Sequence, residues 1–548
     1  MTHPEEAHSH LSSHSTDIEV AAGQRDGLLT SEKPSGSASK ASYIRHLLHG
    51  TLDLLRPEIL TRRRGPARRP GPTAFLDGLR GWAAFCVALM HLFVYTHDWV
   101  ELCYNAPLLD AGRNDSPLTL PFIRVPFTGG HFSVMLFFVI SGYVVPRRLL
   151  ILLNEGKRSE FMDAVQSAVI RRPVRLFLPV VLSTMLLWLV WHIFSVVTPW
   201  PVHQETIIQE FWSWYHDIVK FLYIWRADKL LFTYYNIHSW TIPVEYRGSM
   251  FIIIWLFSTS SMTARGRIWL TLGMMWYLVF SAPGAMYATF FAGMLTAELD
   301  LLSAPAAGSS EHAEKLPSQT TPSNNASRWS RIPVAFTRHK RLRSITLYTM
   351  LILGLWLASI PASDGMDKEA VLSTCPGWMP LGNLVPHNYN DNTPQTYRWF
   401  FLFFSAWMVL IAVKELAWLR RVFETPPMQY LGRHSFALYL IHGPMIGLLS
   451  ERLFILTGVK APEGEAGEEK FGHLTDRWVN SPWWFLGGKE GWTKGLEPNF
   501  WFCVAISLPV FLYVAEVGTR VFDTPSVKVA RWVDGRMRGG ASGGAGKP

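Results

Sequence analysis

Apolar residues run along this chain in blocks of roughly twenty, the length of a helix that crosses a bilayer, and short polar segments divide them. "LFLPVVLSTMLLWLVWHIFSVV" (Leu176–Val197) is the clearest block. The pattern predicts an all-α polytopic membrane protein of about ten transmembrane helices, at residues 75–96, 132–148, 176–198, 239–258, 268–281, 284–300, 344–361, 397–413, 434–456 and 500–519. Pro283 and Gly284 divide the fifth from the sixth. "FWSWYHDIVKFLYIW" (Phe211–Trp225) is apolar but interrupted by His216, Asp217 and Lys220, which predicts an interfacial or re-entrant helix.

Charge orients these helices. "RRRGPARR" (Arg62–Arg69) precedes the first, "TARGR" (Thr263–Arg267) the fifth and "RHKRLR" (Arg338–Arg343) the seventh. The loop 149–175 with the flanking Arg147 and Arg148, the segment from Lys414 to Arg433 and the end of the chain are also basic. Basic segments stay in the cytoplasm, so both termini are predicted to be cytoplasmic. The net charge of +9 then reads as the flanks of membrane helices rather than a nucleic-acid surface. No apolar core opens Met1–Ser42, so the first helix is expected to act as an uncleaved anchor. Three parts follow: a Ser-rich basic tail (1–71) expected to be disordered, a membrane domain (72–525), and a cytoplasmic tail (526–548). The domain holds a low-complexity cytoplasmic insert at 304–343 and an outer loop at 457–499. No internal repeat suggests an inverted-repeat transporter. Of the Asn-x-Ser sites, Asn114 falls in the first outer loop and Asn325 in the cytoplasmic insert.

Four cysteines are too few for a disulfide scaffold, and no Cys/His spacing has the form of a metal site, so no metal is expected. Cys103 and Cys375 both fall in segments placed outside, where they are either a bonded pair or two free thiols.

The apolar blocks are not wholly apolar. "DGLRGWAAFCVALMH" (Asp77–His91) carries Asp77, Arg80 and His91. An Arg or Asp at a helix centre costs roughly 2.5–3.5 kcal/mol by insertion scales, so such groups point to function or to pairing. Arg80 and His91 are eleven residues apart, three turns plus about 20°, so they share a face about 16 Å apart along the axis. Asp77 lies one turn before Arg80 and either pairs with it at the membrane boundary or begins a polar stripe. Glu245 lies in the fourth helix at a depth similar to His91, where it either fixes that imidazole or pairs with Arg247. Arg172 and Arg175 stand one turn apart at the cytoplasmic mouth of the third helix, either as a basic flank or as forks for phosphate oxygens. Ser141 and Gly142 sit mid-helix and permit close helix approach. His442 lies a third of the way into the ninth helix, where a structural role is expected.

"FLDGLRGWAAFCVALMH", "FFVISGYVV", "RRPVRLFLP", "HSWTIPVEY" and "YLGRHSFALYLIHGP" occur in this order across residues 72–525. Together they resemble the successive signatures of membrane acyltransferase family 3. The segment "SWTIPVEYRGSM" departs from the family, which more often continues with a second acidic residue and an aromatic. The insert and Ser-rich tail fit a eukaryotic, fungal member. The resemblance implies a ten-helix enzyme that moves an acyl group, often acetyl, from cytoplasmic acyl-CoA to an acceptor hydroxyl. It also implies catalytic importance for Arg80, His91, Arg172 and Arg175. Combined with the polar stripe, this gives an expected mechanism. Arg172 and Arg175 hold the acyl-CoA phosphates, with Arg80 near the entrance. His91 takes the hydroxyl proton as general base, and Glu245 orients or charge-balances it. Asp77, Ser141 and His442 are supporting residues. Ser141 has no adjacent base, so transfer is expected to be direct, without an acyl-enzyme. Acyl-CoA is a co-substrate, no bound cofactor is expected, and the partners are the bilayer, the donor and a carbohydrate, lipid or small-metabolite acceptor. The expected location is the endomembrane system or plasma membrane. The competing class is a transporter or lipid translocase that uses the same stripe as a path.

Overall fold

The computed structural model describes residues 55–57, 71–108, 112–194, 196, 198, 201, 203–226, 230–303, 340–362, 368–389 except 376, 396–460 and 492–538. The tail 1–54, nearly all of the 304–343 insert, Asn325, and the centre of the 457–499 loop fall outside them. The described residues form helices and turns with no strand. The helices that position the site are α1 (Ala74–Val94), α2 (Gly130–Val144), α3 (Arg147–Asn154), α4 (Arg158–Phe194), α5 (Ile207–Phe221), α6 (Thr241–Ser258), α7 (Ala264–Trp276), α8 (Ala285–Ser303), α9 (Lys340–Leu357), α10 (Tyr397–Glu415), α11 (Pro426–Met445), α12 (Glu451–Leu456), α13 (Pro498–Gly518) and α14 (Thr524–Met537). Six stretches are long and apolar enough to cross a membrane: α1, α2 with α3, α4, α8, α10, and α13 with α14. The other four predicted segments also fold as helices, in α6, α7, α9 and α11–α12.

The sequence pattern placed loops where two helices continue. α4 begins at Arg158 and runs 37 residues through Pro173 and Pro179, so its basic flank is helical. α13 leads through a π-turn at Thr519–Asp523 into α14, which takes up part of the stretch assigned to the tail. A second π-turn, Ile446–Ser450, joins α11 to α12. Apolar periodicity registers only the stretch that faces lipid, and it misses the amphipathic extension beyond it.

The chain forms two compact units. One comprises residues 1–100, 167–246 and 421–548, the other 101–166 and 247–420. In the first, α11 packs along α1 and against α13. The contact with α1 is close because it is made by glycines. A Cβ on Gly81 would stand 2.3 Å from the Gly432 nitrogen, and one on Gly432 would stand 2.3 Å from the Asp77 carbonyl oxygen. Gln429 fixes the same end by donating to the Ala74 and Phe423 carbonyls at 2.7 and 2.8 Å. α1 and α11 are therefore parallel. α13 is antiparallel to α11: Asn499 donates to the Thr457 carbonyl, while Thr519 meets His434. α5 closes this unit with Trp214 and Ile218 packed on Leu187, Trp188 and Trp191 of α4. Its opposite face exposes Ile207, Ile208, Phe211, Trp212 and Tyr215.

In the second unit α8 packs on α2 and α10, and α9 on α10. Gly142 meets the Phe290 carbonyl and Gly293 the Val139 carbonyl, each at 2.1 Å from a Cβ position, the close approach that Ser141-Gly142 predicts. Pro283 and Gly284 lie in the break between α7 with its π-turn and α8, so these are two helices. Arg267 and Glu298 form a buried pair with Nε–Oε1 at 2.8 Å. The C-terminal ends of α2, α8 and α10 and the N-terminal end of α9 meet through charge. Tyr143 donates to Asp300 at 2.8 Å, Arg147 donates to Tyr143, Lys414 pairs with Asp300 and Glu415, and Arg343 pairs with Glu415. Cys103 and Cys375 are joined by a disulfide, Cα–Cα 5.7 Å. Asn114 is fully buried, with its side chain accepting from the Ser116 amide. As folded, it offers no glycan acceptor, despite its Asn-x-Ser pattern.

Candidate active site

Asp77, Arg80, His91, Arg172, Arg175, Glu245 and His442 all lie in the first unit, where they fall into two clusters, and Arg247 lies in the second unit.

The first cluster is three imidazoles. His91 comes from the last turn of α1, His238 from the 3-10 turn Ile237–Trp240 before α6, and His442 from α11. Ring centroids are 4.1 Å apart for His91–His238, 5.0 Å for His91–His442 and 4.7 Å for His238–His442. Backbone carbonyls fix two of the tautomers. His91 Nδ1 lies 2.8 Å from the Val87 oxygen and His442 Nδ1 2.6 Å from the Tyr439 oxygen. A carbonyl only accepts, so both Nδ1 atoms carry hydrogen, and in the neutral ring each Nε2 keeps the lone pair. His442 Nε2 and His238 Nδ1 are buried and make no hydrogen bond.

The seat of His238 is built by α11. Tyr439 donates its hydroxyl to the His238 carbonyl at 2.7 Å and accepts from Thr241 at 2.7 Å. Asn236 donates to the Leu440 carbonyl at 2.8 Å. A Cβ on Gly443 would stand 2.2 Å from His238 Nδ1, so only glycine leaves room for the ring. The three rings stand against one another, and the Val87 and Tyr439 carbonyls hold two of them.

The second cluster is charged. Arg80 reaches Asp77 at 3.7 Å, the local pair that their spacing allows. The charges of Arg80 and Arg175 act on Asp77 and also on Asp523, at the end of the π-turn after α13. Arg172 forms an ion pair with Glu245, both side chains largely buried. The structure thus brings Glu245 to Arg172 of α4, and beside His91 it places His238 and His442. Ser141 lies on α2 in the other unit. The free cysteines, Cys86 and Cys503, are buried in α1 and α13.

Two participants escaped the sequence reading. His238 stood inside the quoted "HSWTIPVEY" without a role, and its spacing to His91 carries no periodic signal. Asp523 sat in a stretch read as the approach to a tail. Spacing also concealed what the three histidines offer together. Their donor atoms lie within 4.8 Å of one another, a set that could hold a metal ion.

Comparison with known proteins identifies the family. The profile of the acyltransferase-3 family, described as an acyltransferase domain, matches residues 73–488. An O-acetyltransferase of Phomopsis amygdali, PaAT-1, is 28% identical over 424 residues, covering 73% of this chain and 78% of that protein. Acyltransferase R4 of Phoma sp. (strain ATCC 20986 / MF5453) is 23% identical, over 68% of this chain and 83% of its own length. Acyltransferase clz18 of Cochliobolus lunatus is 24% identical, over 68% and 82%. No solved structure matches.

Proposed function

The chain belongs to the acyltransferase-3 family and is an acyltransferase with membrane-spanning helices, and on that premise we propose that it transfers an acetyl group from cytoplasmic acyl-CoA to a hydroxyl of a carbohydrate, lipid or small metabolite. The observation that carries this reading is the division of α1, with an arginine cluster at one end and an imidazole cluster at the other. Arg172, Arg175 and Arg80 receive the donor's phosphates, because guanidinium forks match phosphate oxygens. Glu245, seven residues and roughly 10 Å beyond His238 by helical rise, holds Arg172 along the way between the clusters. The thioester reaches toward His91. Its Nδ1–H is held by Val87, so Nε2 is free to take the hydroxyl proton as general base. Asp77 and Asp523 balance Arg80 and Arg175 before the donor binds. His442 supports His91, and transfer is direct. The name of the Phomopsis relative supports oxygen as the acceptor atom and acetyl as the group.

The orientation belongs to the same proposal: ten crossings, both termini in the cytoplasm, a membrane domain at 72–525 between tails at 1–71 and 526–548, and α5 in the membrane interface. In the second unit the convergence of Arg147, Asp300, Arg343 and Lys414 supports a common cytoplasmic end for their helices. The Cys103–Cys375 bond supports an oxidising compartment at the other end, as in the endomembrane system or at the plasma membrane.

The test is thiol release by the purified chain with radiolabelled acetyl-CoA, offered carbohydrate, lipid and small-metabolite fractions in turn. Label transferred to one fraction together with released CoA supports the proposal. A chain that moves solutes or lipids without consuming acetyl-CoA is a transporter, and the reading fails.

A further inference from the structure

We propose that His91, His238 and His442 together bind one zinc ion, which leaves a fourth coordination position for the acceptor hydroxyl. The three rings come from three separate segments, and each offers one nitrogen, all within 4.8 Å of one another. Zinc bound by three neutral imidazoles with one position open is an established catalytic arrangement. Tetrahedral bonds of 2.0–2.1 Å place ligand nitrogens about 3.3 Å apart, so ring rotations and shifts of about 1.5 Å or less close the set.

The second observation is the way the rings are held. Metal-binding histidines almost always give their other N–H to a carbonyl or carboxylate, which fixes the tautomer and aims the lone pair. His91 and His442 both do so, through Val87 and Tyr439. The third is the pair of buried ring nitrogens, His442 Nε2 and His238 Nδ1, that make no hydrogen bond. A buried polar group without a partner is destabilising, and a ligand bond to His442 Nε2 removes that penalty there. Ring nitrogens gathered within 4.8 Å of one another are suited to a cation.

The inference deepens the proposed function and rests on that reading for its chemistry, but not for its test. It alters one assignment, since His91 then acts as a ligand. The acceptor oxygen takes the open position and its acidity rises, as for zinc-bound water. Its O–H bond breaks, the oxygen bonds to the thioester carbon, and the carbon–sulfur bond breaks. The departing thiolate ends with the hydroxyl's proton, and no oxidant or reductant is needed.

The experiment uses the full chain, purified without a polyhistidine tag and incubated with Zn2+ before removal of excess. Elemental analysis is expected to give about one zinc per chain, and X-ray absorption about three imidazole nitrogens at 2.0–2.1 Å. The absorption measurement needs no variant, so misfolding cannot obscure it. His238→Ala and His442→Ala are each expected to keep less than about a tenth of the wild-type zinc, as loss of one of three ligands implies. His216→Ala, on the exposed face of α5, is expected to keep all of it. Wild-type protein that takes up no zinc, or zinc content equal in wild type and His442→Ala, overturns the inference. A zinc-free protein that still releases thiol in a His91-dependent way overturns the ion and leaves the acyl-transfer reading intact. A zinc-loaded protein that never releases thiol keeps the ion and removes that reading.

Discussion

The two ends of α1 solve the problem of polar groups in a membrane domain in opposite ways. Near Asp77 every charge is answered: Arg80 by Asp77, Arg172 by Glu245, and Arg175 through its field on Asp77 and Asp523. Near His91 the groups are three imidazoles: His91 and His442 each hold a backbone carbonyl, and His442 Nε2 and His238 Nδ1 are buried without a hydrogen bond. The first end suits a highly charged ligand, because its arginines are paired with carboxylates that phosphates could displace. The second suits chemistry on a hydroxyl, because acceptors without a bound proton are what such chemistry consumes. Under the proposed function, binding and reaction are separated along one helix, and substitutions at the two ends should fail in different ways.

Gly443→Ala breaks the reactive end most sharply short of removing a histidine. The added methyl meets His238 Nδ1 at 2.2 Å, so the ring must leave its seat. Turnover should fall by about 100-fold, the cost of misplacing a reacting group by about an ångström, while donor affinity changes little. Steady-state kinetics against acyl-CoA separate the two quantities, and a normal turnover number would show that His238 has no part in the chemistry.

At the charged end the failure should move to donor affinity. Arg172→Ala and Arg175→Ala each remove a charged hydrogen-bonding group worth about 1.5–3 kcal/mol, so donor affinity should drop about tenfold or more for each. Saturating donor should recover most of the turnover. Arg172→Lys should restore only part of the affinity, since a point charge replaces a fork. Unchanged affinity in the double variant would return the pair to a basic helix flank.

Glu245→Gln sharpens the comparison because the sequence and the structure place this residue differently. A partner of Arg172 should affect donor affinity by severalfold and turnover by less than about tenfold, the scale of one lost charged hydrogen bond. A partner of His91 would show a collapse in turnover with affinity preserved. The smallest effect is expected for Ser141→Ala, which should leave both parameters within about twofold if transfer is direct, because loss of a catalytic nucleophile costs many orders of magnitude.

The fold was legible in the sequence where burial in lipid dictates composition. Each apolar block is a helix, and the break at Pro283–Gly284 falls where backbone chemistry requires it. What the pattern could not register were amphipathic continuations such as residues 158–175 of α4 and 524–537 in α14, because only lipid-facing stretches carry the apolar signal. The site was legible along single helices. Arg80 and Asp77 pair as their spacing implies, and Arg172 and Arg175 stand one turn apart. Contacts between helices were not legible. Nothing in the spacing of Glu245 selects Arg172 over His91, and nothing in "HSWTIP" announces that His238 will stand 4.1 Å from a ring 147 positions earlier in the chain. The close parallel contact of α1 with α11, which glycines at 81 and 432 make possible, accounts for the meeting of His91 with His442, while the Arg172–Glu245 pair joins α4 to α6.

The most direct test of the division between the two ends is a donor titration of His91→Ala beside wild type at equal membrane abundance, with CoA thiol release as the readout. The account predicts a turnover number lower by about 10²–10⁴, the usual contribution of a group that handles the reacting proton, with acyl-CoA affinity within about twofold of wild type. Near-normal turnover in His91→Ala would contradict it.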